Sequence, residues 1–307
     1  MFSLSQTAAA KRKLSRGLQK HKSSYLFLLP FMIVFFLFTA VPVIAAIVLS
    51  FTDLDMVSAP HFVGVTNYAR MLADDDVFPV AVKNTLLFAV VTGPVSYLLC
   101  LGIAWLVNEV GRRLRVVFTV MFYAPSLTGS AVTLWAYIFS GDAYGLVNST
   151  LMRLGLISEP ILWLTDPAYH MYVVMGIQLW LSLGTGFLSF IAGFQTVDRS
   201  IYEAGAVDGI RDRFQEFWYL TLASMRPQLM FGAVMQIAAS FAVSGLPVAL
   251  TGFPSTNNST TTIVTHISDV GITRMEMGYA CAIATVLFAV MIAVRNVVEL
   301  AIRGDGD

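Results

Sequence analysis

Apolar residues in this chain run on continuously, where a half-buried strand would alternate and a surface helix would recur every three or four positions. Six stretches lack Lys, Arg, Asp and Glu for about 18 residues or more, enough for a helix to cross a bilayer core of about 30 Å. The first is Tyr25 to Phe51 and the second Thr85 to Val107. The third starts at Val116 and fades near Phe139. The fourth runs from about His170 to Gln195. The fifth starts at Pro227 and leaves near Leu250, where TGFPSTNNSTTT is loop chemistry, and the sixth is Met277 to Val294. Continuous apolarity predicts helices rather than barrel strands. The expectation is an all-α, polytopic membrane protein: a transmembrane domain over 25–301, a basic arm at 1–24 and a short tail at 302–307.

Composition agrees. Hydrophobic residues make up 57% of the 307 and charged residues 12%, about half the share a soluble domain needs to cover its surface. Nineteen basic and nineteen acidic residues cancel, so no overall field favours nucleic acid or another anionic partner. Cys100 and Cys281 lie in separate apolar runs, which argues against a disulfide framework or a zinc site.

The placement of charge predicts orientation. With the N-terminus inside, fifteen of the nineteen Lys and Arg residues fall on the inner side: in the arm, in 108–115, in 193–226 and in the tail. Only Arg70, Lys83, Arg153 and Arg274 fall outside. Both termini are therefore expected in the cytoplasm. The first run exceeds a signal-peptide core and is interrupted by Pro30 and Pro42, so it is read as an uncleaved helix.

The spans hold no central ionisable group, the usual means of ion coupling or voltage sensing. His170 and His266 fall near outer ends and are expected to be solvated. There is no GxxxxGK[ST] loop, no HExxH pair and no nucleophile–base constellation, so neither a catalytic centre, a metal site nor a cofactor is expected, and any energy for uphill movement comes from a partner. The polar content of the spans is uncharged. Gln178, Trp180, Ser182 and Thr185 in the fourth, and Gln236 and Ser240 in the fifth, are candidates for a hydrated solute path. The alternative for the small residues is helix packing. For Trp180 it is a packing or interfacial ring. The long amides of Gln178 and Gln236 need a partner or water, and Gln236 and Ser240, four apart, share a helical face.

The loop after the fourth span is the most informative stretch. In Val197-Asp-Arg-Ser-Ile-Tyr-Glu-Ala-Gly-Ala-Val-Asp-Gly-Ile, Ser200 and Glu203 form a capping-box pattern that predicts a helix from about Ile201, with Gly209 as a left-handed stop. Two turns are unstable alone and must pack on something. Phe214, Phe217, Trp218 and Thr221 follow at helical spacing, and Pro227 suits the start of the next helix.

Glu203, Ala204, Gly205, Asp208 and Gly209, placed before the last two spans, resemble the EAA loop of binding-protein-dependent ABC importer permeases. SFTDLD at 50–55, FVGVTNYARML at 62–72, NTLLFAVV at 84–91 and GYACAIATVLFAVM at 278–291 are similar to carbohydrate-uptake permeases of the maltose-transporter type. The chain departs from that pattern in three places. Gly205 replaces an alanine and is expected to loosen the helix, Ile210 replaces another, and Leu222 is followed by Ala223 with Pro227 arriving late.

The resemblance implies a type I importer permease fold of six helices, N-in and C-in, in a bacterial inner membrane, with the loop at 196–226 coupling to ATPase subunits. It implies as partners a second permease, making a heterodimer, two ATPase subunits and an extracytoplasmic solute-binding protein, with a sugar or glycoside as cargo. ATP hydrolysis would belong to the partner and not to this chain. The rival reading, from the polar-lined spans, is a self-contained facilitator or channel; a docking helix at 200–209 argues against it.

Overall fold

The computed structural model describes residues 22–129 and 131–303. The arm basic residues Lys11 to Lys20, Ser130 and the last four residues lie outside the described residues. Those described are helical or irregular, with one isolated bridge, Thr52 to Phe62.

Along the chain come α1 (Lys22–Phe35), α2 (Val41–Leu49), α3 (Thr66–Ala73), α4 (Val77–Glu109), α5 (Arg112–Leu127), α6 (Ala131–Ile138) and α7 (Leu146–Arg153). Then follow α8 (Pro167–Leu181), α9 (Thr185–Thr196), α10 (Arg199–Val207), α11 (Arg226–Phe241), α12 (Gly245–Thr251), α13 (Ile263–Ser268) and α14 (Met277–Arg303). Four helices, or near-continuous helix pairs, are long and apolar enough to cross a membrane, or up to six if each of two bent pairs counts as one span.

The breaks have local causes. A π-turn at Phe36–Ala40 joins α1 to α2 where Pro42, in the first turn of α2, cannot donate to the preceding turn. The third apolar run does not form one helix: α5 stops at Leu127, just past Pro125, and the chain resumes as α6 at Ala131. Ser182 and Gly184 separate α8 from α9, and α11 bends by 40° into α12. By contrast, Pro94 is absorbed inside α4. There Thr92 donates to Phe88 O at 2.7 Å and Ser96 to Thr92 O at 2.5 Å, so these hydroxyls are satisfied within their own helix.

The core is the meeting of α4, α9 and α11. Phe187 and Phe190 of α9 are fully buried, and the Phe190 ring lies where a Cβ at Gly232 of α11 would stand, so the two helices meet at a glycine. The first span contrasts with this: within its own chain, none of its most apolar window is buried.

The two ends of the bundle differ in chemistry. At one end Asn84 of α4 donates to the carbonyls of Asn258 and Thr261, and Thr85 Oγ1 accepts from Ile263 N at 2.8 Å. Here the expectation for the histidines fails. His266 and His170 are both buried. His266 Nε2 donates to Asp75 Oδ2 at 2.7 Å, and Tyr279 donates to the same oxygen at 2.5 Å. His170 Nδ1 is 2.6 Å from Ser259 Oγ. Burial works against the ionised Asp75, but hydrogen bonds from Tyr279 and His266 outweigh it and hold the carboxyl below its ordinary range. Arg70, 2.8 Å from Glu276, lies over the Tyr279 ring at 4.4 Å. Partners far away in sequence made these residues internal.

The opposite end carries residues 108–115 and 197–226, with Arg213 reaching Glu109 at 3.8 Å.

Candidate functional site

The short helix of the loop begins two residues before the predicted start. Asp198, not Ser200, is the N-cap: its carboxylate accepts from Ser200 N at 3.0 Å, and that bond lowers its pKa. A carboxylate at the positive end of a helix outcompetes a hydroxyl there. Glu203 is thereby released from capping and stands exposed. At the other end the predicted stop is present. Gly209 has φ +93°, Ile210 N donates to Gly205 O at 2.9 Å, and Gly209 N to Ala206 O at 3.4 Å, the paired bonds of a Schellman turn.

The helix has two faces. Glu203, Ala204, Val207 and Asp208 are exposed and share one side. Gly205 is buried on the other, where a Cβ would stand 2.6 Å from Leu220 Cδ1 and 3.3 Å from Ile210 Cδ1. The glycine expected to loosen this helix instead lets it lie close against the following segment. Tyr202 OH is 2.9 Å from the buried Thr221 Oγ1 and pins the same face.

That following segment, an elbow, is helical at Arg213–Gln215, a π-turn over Glu216–Thr221, and helical again at Leu222–Ser224. Its four residues at helical spacing do not share one face. Phe217 packs on Trp105 at 4.8 Å and Thr221 is buried, whereas Phe214 and Trp218 stack on each other and are exposed. The wide turn shifts the register. After Met225, which is off helical geometry, α11 starts at Arg226 with Pro227 in its first turn.

The six solute-path candidates are distributed over two places. Gln236 is buried; its Nε2 reaches Cys100 Sγ at 3.2 Å and, at 3.5 Å, the Ser182 carbonyl in the α8–α9 break, which also accepts from Gly184 N at 2.8 Å. Ser240, one turn on, donates to Ile237 O and faces Gly93. Both line a cavity of about 380 Å³ between α4, α11 and α14, with Gly93, Pro94 and Tyr97. Gln178, Trp180 and Thr185 belong to α8 and α9: Gln178 is half-buried, and Trp180 and Thr185 are exposed.

Trp180 heads a series of rings that sequence spacing could not reveal, because it draws on three segments. Trp180 meets Trp135 at 5.3 Å, Trp135 meets Phe139 at 5.8 Å, Phe139 meets Trp163 at 6.0 Å, and Trp163 meets Tyr169 at 5.3 Å. Trp163 is anchored by its Nε1, which donates to the buried Asn148 at 2.8 Å. Trp135 Nε1 is buried without a partner among the described residues. No group of three or more His, Cys, Asp or Glu side chains that could hold a metal occurs among the described residues.

No family model matches the chain. It is, however, 30% identical to the probable ABC transporter permease protein YesP of Bacillus subtilis (strain 168) over 91% of its own length and 90% of that protein's. The chain belongs to the ABC transporter permeases. This permease is also 29% identical to the sulfoquinovosyl glycerol transport system permease protein SmoG of Agrobacterium fabrum, over 91% of its length and 89% of SmoG. It is 29% identical to the lactose transport system permease protein LacF of Rhizobium radiobacter, over 90% and 92%. Its fold is that of a chain in a bacterial ABC transporter involved in import of the acidic polysaccharide alginate. The TM-score is 0.76 at 20% identity, covering 96% of the permease and 100% of that chain. A second structure of an alginate transporter, in complex with its pentasaccharide-bound periplasmic protein, matches with a TM-score of 0.74. The permease is thus an all-helical, membrane-embedded transporter component.

Proposed function

We propose that this permease is one half of a heterodimeric, ATP-driven importer of a sugar or glycoside in a bacterial inner membrane. An extracytoplasmic binding protein delivers the solute, and two ATPase subunits dock on the loop helix α10. The observation that carries this reading is α10 itself: an exposed face of Glu203, Ala204, Val207 and Asp208 on a back that is fastened through Gly205 and Tyr202. A passive channel has no use for such an element. The first span, apolar and unburied within its own chain, agrees with a second permease beside it. Purification of the tagged permease from its own host is expected to retain an ATPase, and uptake against a panel of sugars identifies the cargo. Recovery without any ATPase would favour the facilitator instead.

Six spans with both termini inside is the topology of this proposal. It is supported by the arginines of 108–115 and 193–226, which gather at one end, and by the segment 251–276, which lies at the other. Cysteine labelling from outside is expected to reach a probe at Asn257 and to miss one at Arg211; the reverse pattern would invert the orientation.

For the path itself, Gln178, Trp180, Ser182, Thr185, Gln236 and Ser240 are the proposed lining, with the rings beyond Trp180 offering faces to the apolar side of a pyranose. Gln236→Ala leaves the Ser182 carbonyl and the Cys100 thiol without this amide, so uptake is expected to fall by roughly tenfold, the scale of one lost hydrogen bond to a buried group. Unchanged uptake at normal expression would remove this face from the path.

A further inference from the structure

Beside the first turn of α10, the ends of α4, α5 and α9 and the elbow border an open cleft of about 600 Å³. Three arginines line it, Arg115, Arg199 and Arg213, against two glutamates, Glu109 and Glu216. The glutamates are already engaged: Arg213 lies 3.0 Å from Glu216 and 3.8 Å from Glu109. Arg115 spends one terminal nitrogen on the carbonyls of Asn108 and Val110, at 2.6 and 3.4 Å, closing the end of α4. Its Nε is buried without a partner among the described residues. Arg199, exposed at the start of α10, makes no salt bridge among the described residues. The lining therefore carries one excess positive charge, one unsatisfied buried donor and one unpaired guanidinium in a space with room for a ligand. An unsatisfied donor of this kind is costly unless something fills the space.

We propose that this cavity holds a phosphate group, supplied by a phospholipid headgroup or by free phosphate, with Arg115 Nε and the Arg199 guanidinium as its donors. A single excess charge suits the monoanionic phosphodiester of a lipid better than the more highly charged free ion. The cavity lies level with the ends of the long helices α4 and α9, where basic pockets between transmembrane helices meet headgroups. Guanidinium groups match the geometry of phosphate oxygens. The occupant joins three parts: the last turn of α4, the first turn of α5 and the first turn of α10. It braces the first turn of the docking helix, beside Tyr202. That the site faces the cytoplasmic leaflet rests on the orientation proposed above, which the labelling at Asn257 and Arg211 tests separately; occupancy does not depend on it.

The test is native mass spectrometry of the complete permease, released from bilayers of phosphatidylglycerol and phosphatidylcholine, with and without added inorganic phosphate. The wild type is expected to retain one phosphatidylglycerol. Arg199→Gln is expected to bind it roughly fivefold more weakly, at about the worth of one basic residue at a membrane surface. The Arg199 side chain forms no hydrogen bond or ion pair among the described residues, so this variant folds even if Arg115→Gln does not. Arg211→Gln, on the same loop but outside the cavity, is expected to retain the lipid like the wild type. A phosphate adduct in place of lipid, lost in Arg199→Gln, supports the site and assigns it to the free ion. Equal lipid retention in all three proteins, or a cavity that takes neither lipid nor phosphate and holds water alone, overturns the proposal.

Discussion

Glu203→Ala is expected to abolish uptake driven by ATP while leaving the permease folded and in the membrane. Glu203 is exposed and makes no capping bond, since Asp198 caps α10, so its loss takes nothing from the helix. What it removes is an acidic contact at the proposed ATPase interface. Truncating one partner of a desolvated charge pair commonly costs about 2–5 kcal/mol, so stimulation of ATP hydrolysis by loaded binding protein should fall at least thirtyfold or so. Gly209→Val acts on the same face by another route. At φ +93° a β-branched residue is strained by about 1–3 kcal/mol, and the Schellman turn that aims α10 has to open. This variant is expected to lose the ATPase subunit on purification. Wild-type stimulation in both variants would sink the coupling assignment.

Gly278→Ala is expected to cause the largest loss of stability. A Cβ at Gly278 would overlap the Thr52 carbonyl oxygen and stand 3.0 Å from Leu54 N. These are backbone atoms, so no rotamer change relieves the clash. The segment is held in place: Asn67 donates to Thr52 O at 2.8 Å, and Gly278 N donates to Leu54 O at 2.8 Å. Overpacking against fixed atoms costs about 3 kcal/mol or more, equivalent to a fall of about 5 °C or more in the unfolding midpoint in detergent. Gly102→Ala in α4 is the control, because nothing lies within 4 Å of its Cβ position. If Gly278→Ala melts with the wild type, the close contact is not a feature of the protein in solution.

How far the sequence could be read depended on the range of the interaction. Apolarity is a property of a run, and the charge-free stretches therefore mark α8 with α9 and α11 with α12 to within three residues, and α4 and α14 to within nine. Gly209 was legible because a glycine stop acts within one turn. The N-cap is not decided by local pattern, because Asp198 and Ser200 are both competent and the pattern does not rank them. Pro125 and Gly129 in the third apolar run permit a break without requiring one, so its place between Leu127 and Ala131 is visible only in the structure. His266 and Asp75 are 191 positions apart, and no periodicity connects them. Gly205 was misread for a related reason: its cost to an isolated helix is local, whereas the Leu220 methyl that requires it arrives with the elbow.

The tryptophans carry a consequence for spectroscopy. Of the five in the chain, Trp135, Trp163 and Trp180 belong to the ring series of α6, α8 and the loop before α8, with Trp135 and Trp180 in direct contact at 5.3 Å. Trp105 and Trp218 belong to the opposite end, one packed inside on Phe217 and one exposed on the elbow. Indole emission responds to polarity and to neighbouring rings, so the protein contains two separate optical reporters. On the proposed path, solute arriving along the ring series is expected to change the emission of the first three, and a protein docking on the proposed interface beside the elbow that of Trp218. With Trp218→Phe the intrinsic fluorescence is then expected to follow the proposed cargo in real time, without an added dye.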